Sequence, residues 1–171
     1  MSLDGTKHRT APCQPSTNSP RWNECFKFDI KDEGSALLYV SVKDFPSEET
    51  LGKFTVNISQ MALRKELKNG YMHNTWLPVL QLKADGDWGP FEGADPPRLH
   101  LVFIPHIFAT AGAQTAKPST PLLETCHGVA IELVRAEALG QLLDPSADRD
   151  TALRPRVELS IDDHVWSSCA K

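Results

Sequence analysis

The stretch "NSPRWNECFKFDI", Asn18 to Ile30, contains a turn that runs directly into a strand. The opening Asn-Ser-Pro is typical of a turn. Phe26, Phe28 and Ile30 then fall on alternate positions, and successive side chains of a strand point to opposite faces. These three side chains therefore share one buried face. Trp22, at the beginning of the strand, is expected to close one end of a β-sandwich.

The composition is that of an ordinary globular protein. The 171 residues are 40% apolar and 23% charged, with a net charge of −4, and this length buries one core, or one core and part of a second. The acidic balance argues against a nucleic-acid partner. No apolar run is long enough for a transmembrane segment, and the N-terminus lacks the apolar centre of a secretory signal. A cytoplasmic location is expected.

The four cysteines do not form a metal or redox motif. Cys13, Cys25, Cys126 and Cys169 include no C-x-x-C pair. Free thiols in a reducing compartment are expected, with a Cys13–Cys25 bridge as the alternative.

Further strand signals recur at short intervals, whereas helix signals are scarce. Segments rich in β-branched or alternating apolar residues lie at Leu37–Val42, Leu51–Ile58, Thr75–Leu80, Leu99–Ile104, Val129–Arg135 and Arg156–Ile161. A polar edge strand at Lys7–Thr10 precedes them, and Ser59 and Gly70 delimit one short helix near 59–69. Many short strands separated by turns predict an all-β fold, an antiparallel eight-stranded β-sandwich with Greek-key connections.

The sequence around Trp22 resembles the fourth-strand region of C2 domains, and the strands that follow resemble the same family over residues 6–105. Five residues carry the likeness, and the resemblance implies that all five are structural: Trp22, Asn23, Glu24, Gly52 and Trp76. The implied fold is a C2-like sandwich.

The order of the strands departs from that of the family. Segments similar to the family's first two strands are absent at the front and occur within residues 128–171. Two arrangements explain this: the rear strands complete the sandwich in permuted order, or they begin a second C2 domain. Five strands alone would leave an open sheet edge, which favours completion. Residues 106–127, which include a small and polar stretch with two prolines, form a linker or surface loop in either arrangement.

The resemblance also indicates where calcium would bind. C2 calcium sites take aspartates from loops at one end of the sandwich, because Ca²⁺ needs about six to eight oxygen ligands. Asp44, Glu49 and Asp144 match acidic positions of two such loops. Pro46 and Arg154 stand where the family's calcium binders carry aspartates. The loops are therefore expected to be degenerate, and Ca²⁺ is the one cofactor that the resemblance offers.

C2 domains that work without calcium bind anionic lipid through a basic patch, or bind a protein partner. Lys7, Arg9, Lys27 and Lys31, on two neighbouring strands, are candidates for such a patch, and Phe45 at a loop tip is a candidate for membrane insertion. The resemblance thus implies a calcium-independent, peripheral membrane-targeting or adaptor domain. It would act as a monomer or as part of a larger chain.

Two other functions stay open on the sequence. One is a protein-interaction module without lipid affinity, and the other is a regulatory fragment of a larger signalling or lipid-modifying enzyme. The chain has no nucleophile elbow and no Gly-rich phosphate loop, so no catalytic activity of its own is expected.

Overall fold

The computed structural model describes residues 7–13, 19–30, 36–58, 72–106, 128–142 and 154–162. Antiparallel pairing organises these residues into two four-stranded sheets and a two-stranded ribbon. The strands are β1 (Lys7–Arg9), β2 (Arg21–Asp29), β3 (Leu37–Asp44), β4 (Thr50–Asn57), β5 (His73–Pro78), β6 (Gln81–Leu82), β7 (Trp88–Gly89), β8 (Arg98–His106), β9 (Gly128–Glu137) and β10 (Pro155–Asp162). A short 3₁₀ helix, Leu139–Leu142, follows β9.

Each four-stranded sheet combines strands from the front and from the rear of the chain. The first sheet has the order β1-β10-β3-β4, and the second has the order β2-β9-β8-β5. Therefore β10 joins β1 to β3, and β9 joins β2 to β8. The boundaries expected at 6–105, 106–127 and 128–171 stay a prediction, since residues 107–127 lie outside the described residues.

The side chains between the two sheets form one apolar core. The long strands contribute alternate residues of one face: Phe28 of β2 is 1% exposed, and Val157 and Leu159 of β10 are fully buried. Phe26 and Trp22 pack against this core from partly buried positions. Burial of this apolar surface is the main stabilising contribution to the fold. The predicted all-β sandwich is confirmed, while the helix expected near 59–69 lies outside the described residues.

The triplet Trp22-Asn23-Glu24 forms an irregularity in β2. The register between β2 and β9 shifts between Arg21 and Glu24, and Asn23 has a φ of 51°. Asparagine tolerates this left-handed conformation better than most residues do. The Glu24 carboxylate accepts a hydrogen bond from the backbone N–H of Ala11 at 3.1 Å. The triplet therefore bends β2 and ties it to the segment that follows β1.

Two of the four cysteines lie within the described residues, and both are free thiols: Cys13 and Cys25. Burial raises the pKa of the Cys13 thiol, a backbone hydrogen bond at Arg21 acts in the opposite direction, and the charge of Glu24 raises the pKa further. The alternative Cys13–Cys25 bridge is not formed.

Candidate functional site

The outer face of the first sheet is lined by cations. The odd-numbered residues Val157, Leu159 and Ile161 of β10 are buried in the core, so Arg156 and Glu158 point to the opposite side of the sheet. The same alternation applies to the neighbouring strands. Five cationic side chains, which we call the basic face, result from it: Lys7, Arg9, Lys43, Lys53 and Arg156.

The strand register places these residues in rows across the sheet. Arg9 lies opposite Glu158, Glu158 opposite Ser41, and Ser41 opposite Lys53. Lys43 lies opposite Arg156 in the neighbouring row. Because backbone pairing fixes all four strands, the positions of these residues on the sheet are set before any ligand arrives.

Glu158 stands at the centre of the basic face. Its carboxylate contacts Lys7 Nζ at 2.6 Å, Arg9 Nε at 2.8 Å and Lys43 Nζ at 3.6 Å. Burial raises the pKa of Glu158, but the hydrogen bond from Lys7, the charges of Lys43 and Lys7, and the hydrogen bond from Arg9 together outweigh it and hold the pKa below its usual range. Glu158 is therefore ionised at neutral pH, and it neutralises part of the positive charge around it.

Arg156 belongs to a second ion pair, at the end of the sheet. Its guanidinium contacts the carboxylate of Glu48, which lies in the loop after β3. The Nε of Arg156 is buried and has no hydrogen-bond partner among the described residues. Glu48 has a φ of 63°, so the loop presents this carboxylate from a left-handed turn.

Aromatic side chains lie next to the basic face, on β3 and beside Lys53 of β4. The ammonium group of Lys53 lies 4.5 Å from the centroid of the Trp88 ring, a cation–π contact. Hydrogen bonds between the backbones of Lys53 and Leu80, of 3.1 and 2.9 Å, bring the β6–β7 ribbon against β4. Tyr39 of β3 is 40% exposed and lies in the same row as Lys7, since both residues are opposite Ser160 of β10. An aromatic border therefore adjoins the cations.

In the loop predicted as a calcium site, the carboxylate of Asp44 is engaged in hydrogen bonds within the protein. Asp44 accepts hydrogen bonds from the Ser47 hydroxyl and from the backbone N–H of Arg154, both at 3.1 Å. The Phe45 N–H donates to the Arg154 carbonyl at 3.0 Å. Within the described residues, no group of three or more His, Cys, Asp or Glu side chains is arranged to hold a metal ion. Glu49 is exposed in the same loop, and Asp144 lies outside the described residues, so both stay predictions as calcium ligands.

The structure divides the basic patch expected from the sequence. Lys7 and Arg9 lie on the basic face, whereas Lys27 lies on β2 and projects from the outer side of the second sheet. Lys31 lies outside the described residues, and Phe45 is half-buried in its loop. The expected lipid-binding roles of these residues stay predictions, but Lys27 does not share a face with Lys7 and Arg9.

Sequence reasoning missed the roles of Arg156 and Glu158. Both alternate with apolar residues along β10, a pattern that marks them as outward-facing. Their partners lie far away in the sequence: Arg9 and Glu158 are 149 positions apart. The missing information was the pairing of β10 with β1 and β3.

The outer face of the second sheet carries a separate aromatic cluster around Trp76. Its ring stacks on His100 with centroids 4.7 Å apart, and the guanidinium groups of Arg98 and Arg135 lie 4.9 and 5.2 Å from its centroid. Glu137 contacts both arginines, at 2.7 and 3.3 Å. Trp76 therefore lies on the sheet's outer surface and outside the core.

Comparison with known proteins gives two matches. The family model described as the C2 domain matches residues 1–79. Extended synaptotagmin-1 of Mus musculus is 42% identical over 52 residues, which make up 30% of this chain and 5% of that protein. The chain thus spans a small part of that relative's length. No solved structure matches, and no helix among the described residues is long and apolar enough to cross a membrane.

Proposed function

We propose that this protein binds anionic phospholipid through the basic face, because residues 1–79 match the family model of the C2 domain, a family of membrane-targeting and lipid-binding modules. The role is non-catalytic: it attaches the chain to the cytoplasmic surface of a membrane. Binding does not require calcium.

The observation that carries this proposal is the excess of positive charge on one rigid sheet. Among the residues that the structure describes, the five cations of the basic face outnumber the two carboxylates that contact them, Glu158 and Glu48, by three. Each positive charge near an anionic membrane is worth about 1 kcal/mol. The chain as a whole carries a net charge of −4, so its overall charge would not attract it to an anionic membrane. The local excess of positive charge on the basic face would.

The state of Asp44 supports calcium independence. A calcium ligand needs free carboxylate oxygens, and those of Asp44 accept hydrogen bonds from Ser47 and Arg154. Pro46 and Arg154 supply no carboxylate where the family's calcium binders have one. Membrane attachment therefore rests on the fixed cations of the basic face.

Sedimentation with vesicles tests the proposal. We expect the protein to bind vesicles that contain phosphatidylserine and to ignore neutral ones, equally with calcium and with chelator. The double variant Lys7→Gln with Arg9→Gln should bind about tenfold or more weakly, since it removes two charges. The matched control is Arg21→Gln with Lys27→Gln, because both residues are exposed on β2 of the other sheet. Equal loss in the two double variants would show that net charge matters and that the basic face does not, and dependence on calcium would overturn the calcium-independent mechanism.

The cluster around Trp76 favours a second candidate function, the binding of a protein partner. Tryptophan and arginine dominate the energetically important positions of protein interfaces, and Trp76, Arg98 and Arg135 lie together on the outer face of the second sheet. A folded protein that binds no vesicle of any composition would favour this function.

A further inference from the structure

We propose that Glu158 acts as a built-in counter-ion that restrains membrane binding by the basic face. Its charge would set how anionic a membrane has to be before this domain attaches to it. The inference rests on the function proposed above, and it concerns the regulation of the same site.

The geometry around Glu158 is that of an anion site already occupied by the protein's own carboxylate. Lys7, Arg9 and Lys43 reach it from the strands on both sides, at 2.6, 2.8 and 3.6 Å. Charge-assisted hydrogen bonds of this kind are the ones that lysine and arginine would also make to a lipid headgroup. A headgroup therefore competes with Glu158 for the same donors.

The backbone of Glu158 is held inside the sheet by a strand on each side. The residue lies on β10 between Arg9 of β1 and Ser41 of β3, and it is 8% exposed. Glu48, the other carboxylate in contact with the basic face, has a side chain that is 45% exposed in a loop. The negative charge of Glu158 is therefore a permanent feature of the face.

Removing that charge has opposite effects on binding and on stability. The excess of positive charge on the face rises from three to four, which strengthens attraction to an anionic surface. At the same time Lys7, Arg9 and Lys43 lose their shared partner and repel one another. If Glu158 is a counter-ion, its removal should tighten membrane binding and lower the stability of the fold. If Glu158 only supported the fold, its removal would weaken membrane binding as well as stability.

The test compares Glu158→Gln with Glu132→Gln. Glu132 lies on β9, opposite Cys25 of β2 and on the outer side of the second sheet, so the control removes the same charge from the other side of the molecule. Binding is measured by sedimentation with vesicles of increasing phosphatidylserine content, at low and at high salt, and thermal unfolding is recorded for every variant.

We expect Glu158→Gln to bind about fivefold more tightly than the unaltered protein, the change expected for one charge near an anionic membrane. The gain should grow with phosphatidylserine content and shrink as salt rises. Glu132→Gln should change binding much less. Should Glu158→Gln fail to fold, the double variant Glu158→Gln with Lys43→Gln decides instead, because it also removes one of the three cations left without their shared partner. It should bind about fivefold more tightly than Lys43→Gln alone, and equal binding by these two variants would overturn the inference.

Two outcomes would overturn the inference, and they are distinguishable from each other. If Lys7→Gln with Arg9→Gln weakens binding but Glu158→Gln leaves it unchanged or weaker, the basic face binds membranes and Glu158 does not restrain it. If neither the unaltered protein nor Glu158→Gln binds any vesicle, the proposed function itself fails, and the inference fails with it.

Discussion

Asn23 occupies the one position of the Trp-Asn-Glu triplet that places a conformational demand on the residue type. Its φ of 51° lies in the left-handed region, at the point where the register between β2 and β9 shifts. We expect Asn23→Val to lower the free energy of unfolding by about 1–2 kcal/mol, because a β-branched side chain is strained there. Asn23→Gly should be nearly neutral, since glycine adopts positive φ freely.

Urea unfolding of these variants measures the cost, and Lys27→Val is the matched control. Lys27 is exposed on the same strand and has no positive φ, so valine there should cost little or stabilise slightly. Equal effects of valine at positions 23 and 27 would mean that the conformation of Asn23 contributes nothing to stability.

Gly52 allows β4 to approach the segment that follows β5. A Cβ atom at this position would meet Cγ1 of Val79, the carbonyl oxygen of Leu80 at 2.9 Å and Cδ1 of Leu142 at 3.1 Å. Backbone hydrogen bonds between Lys53 and Leu80 hold the two segments together, so neither can yield without losing this pairing. We expect Gly52→Ala to destabilise the protein by about 1–3 kcal/mol, the usual cost of overpacking.

Gly89→Ala is the control for this element, measured by the same unfolding experiment. The three atoms nearest to the added methyl group all belong to the side chain of Lys83, which is flexible and can move aside, so the expected change is under about 0.5 kcal/mol. Because Gly52→Ala also separates Lys53 from Leu80, it should shift the fluorescence of Trp88, whose ring lies beside Lys53. An unchanged melting curve for Gly52→Ala would show that β4 and the following segment are not tightly packed.

Features that depend on neighbouring residues can be predicted from the sequence, whereas features that depend on the pairing of distant strands cannot. The alternation of Phe26, Phe28 and Ile30 predicts a half-buried strand because side-chain direction depends only on neighbouring residues. The sharing of a face by Lys7 and Glu158 depends on pairing between distant strands, and no local pattern records it. For the same reason Lys27 does not share a face with Arg9, although the order of the strands in the sequence suggests that it does: β1 and β2 belong to different sheets.

The arrangement of the two sheets makes a prediction about the whole chain. β9 and β10 supply buried residues to the centre of both sheets, among them Ile131, Leu133, Val157 and Leu159, all fully buried. If the rear strands complete the sandwich, cleavage at a protease site inserted within residues 107–127 should leave the two pieces bound to each other. Denaturant should then separate the front fragment, which contains β1 to β8, from residues 128–171. By itself the front fragment should not unfold cooperatively, because β1 and β2 would have no strand to pair with. Remixing the pieces should restore a single cooperative transition, whereas a front piece that melts cooperatively by itself would mean that residues 128–171 belong to a second domain.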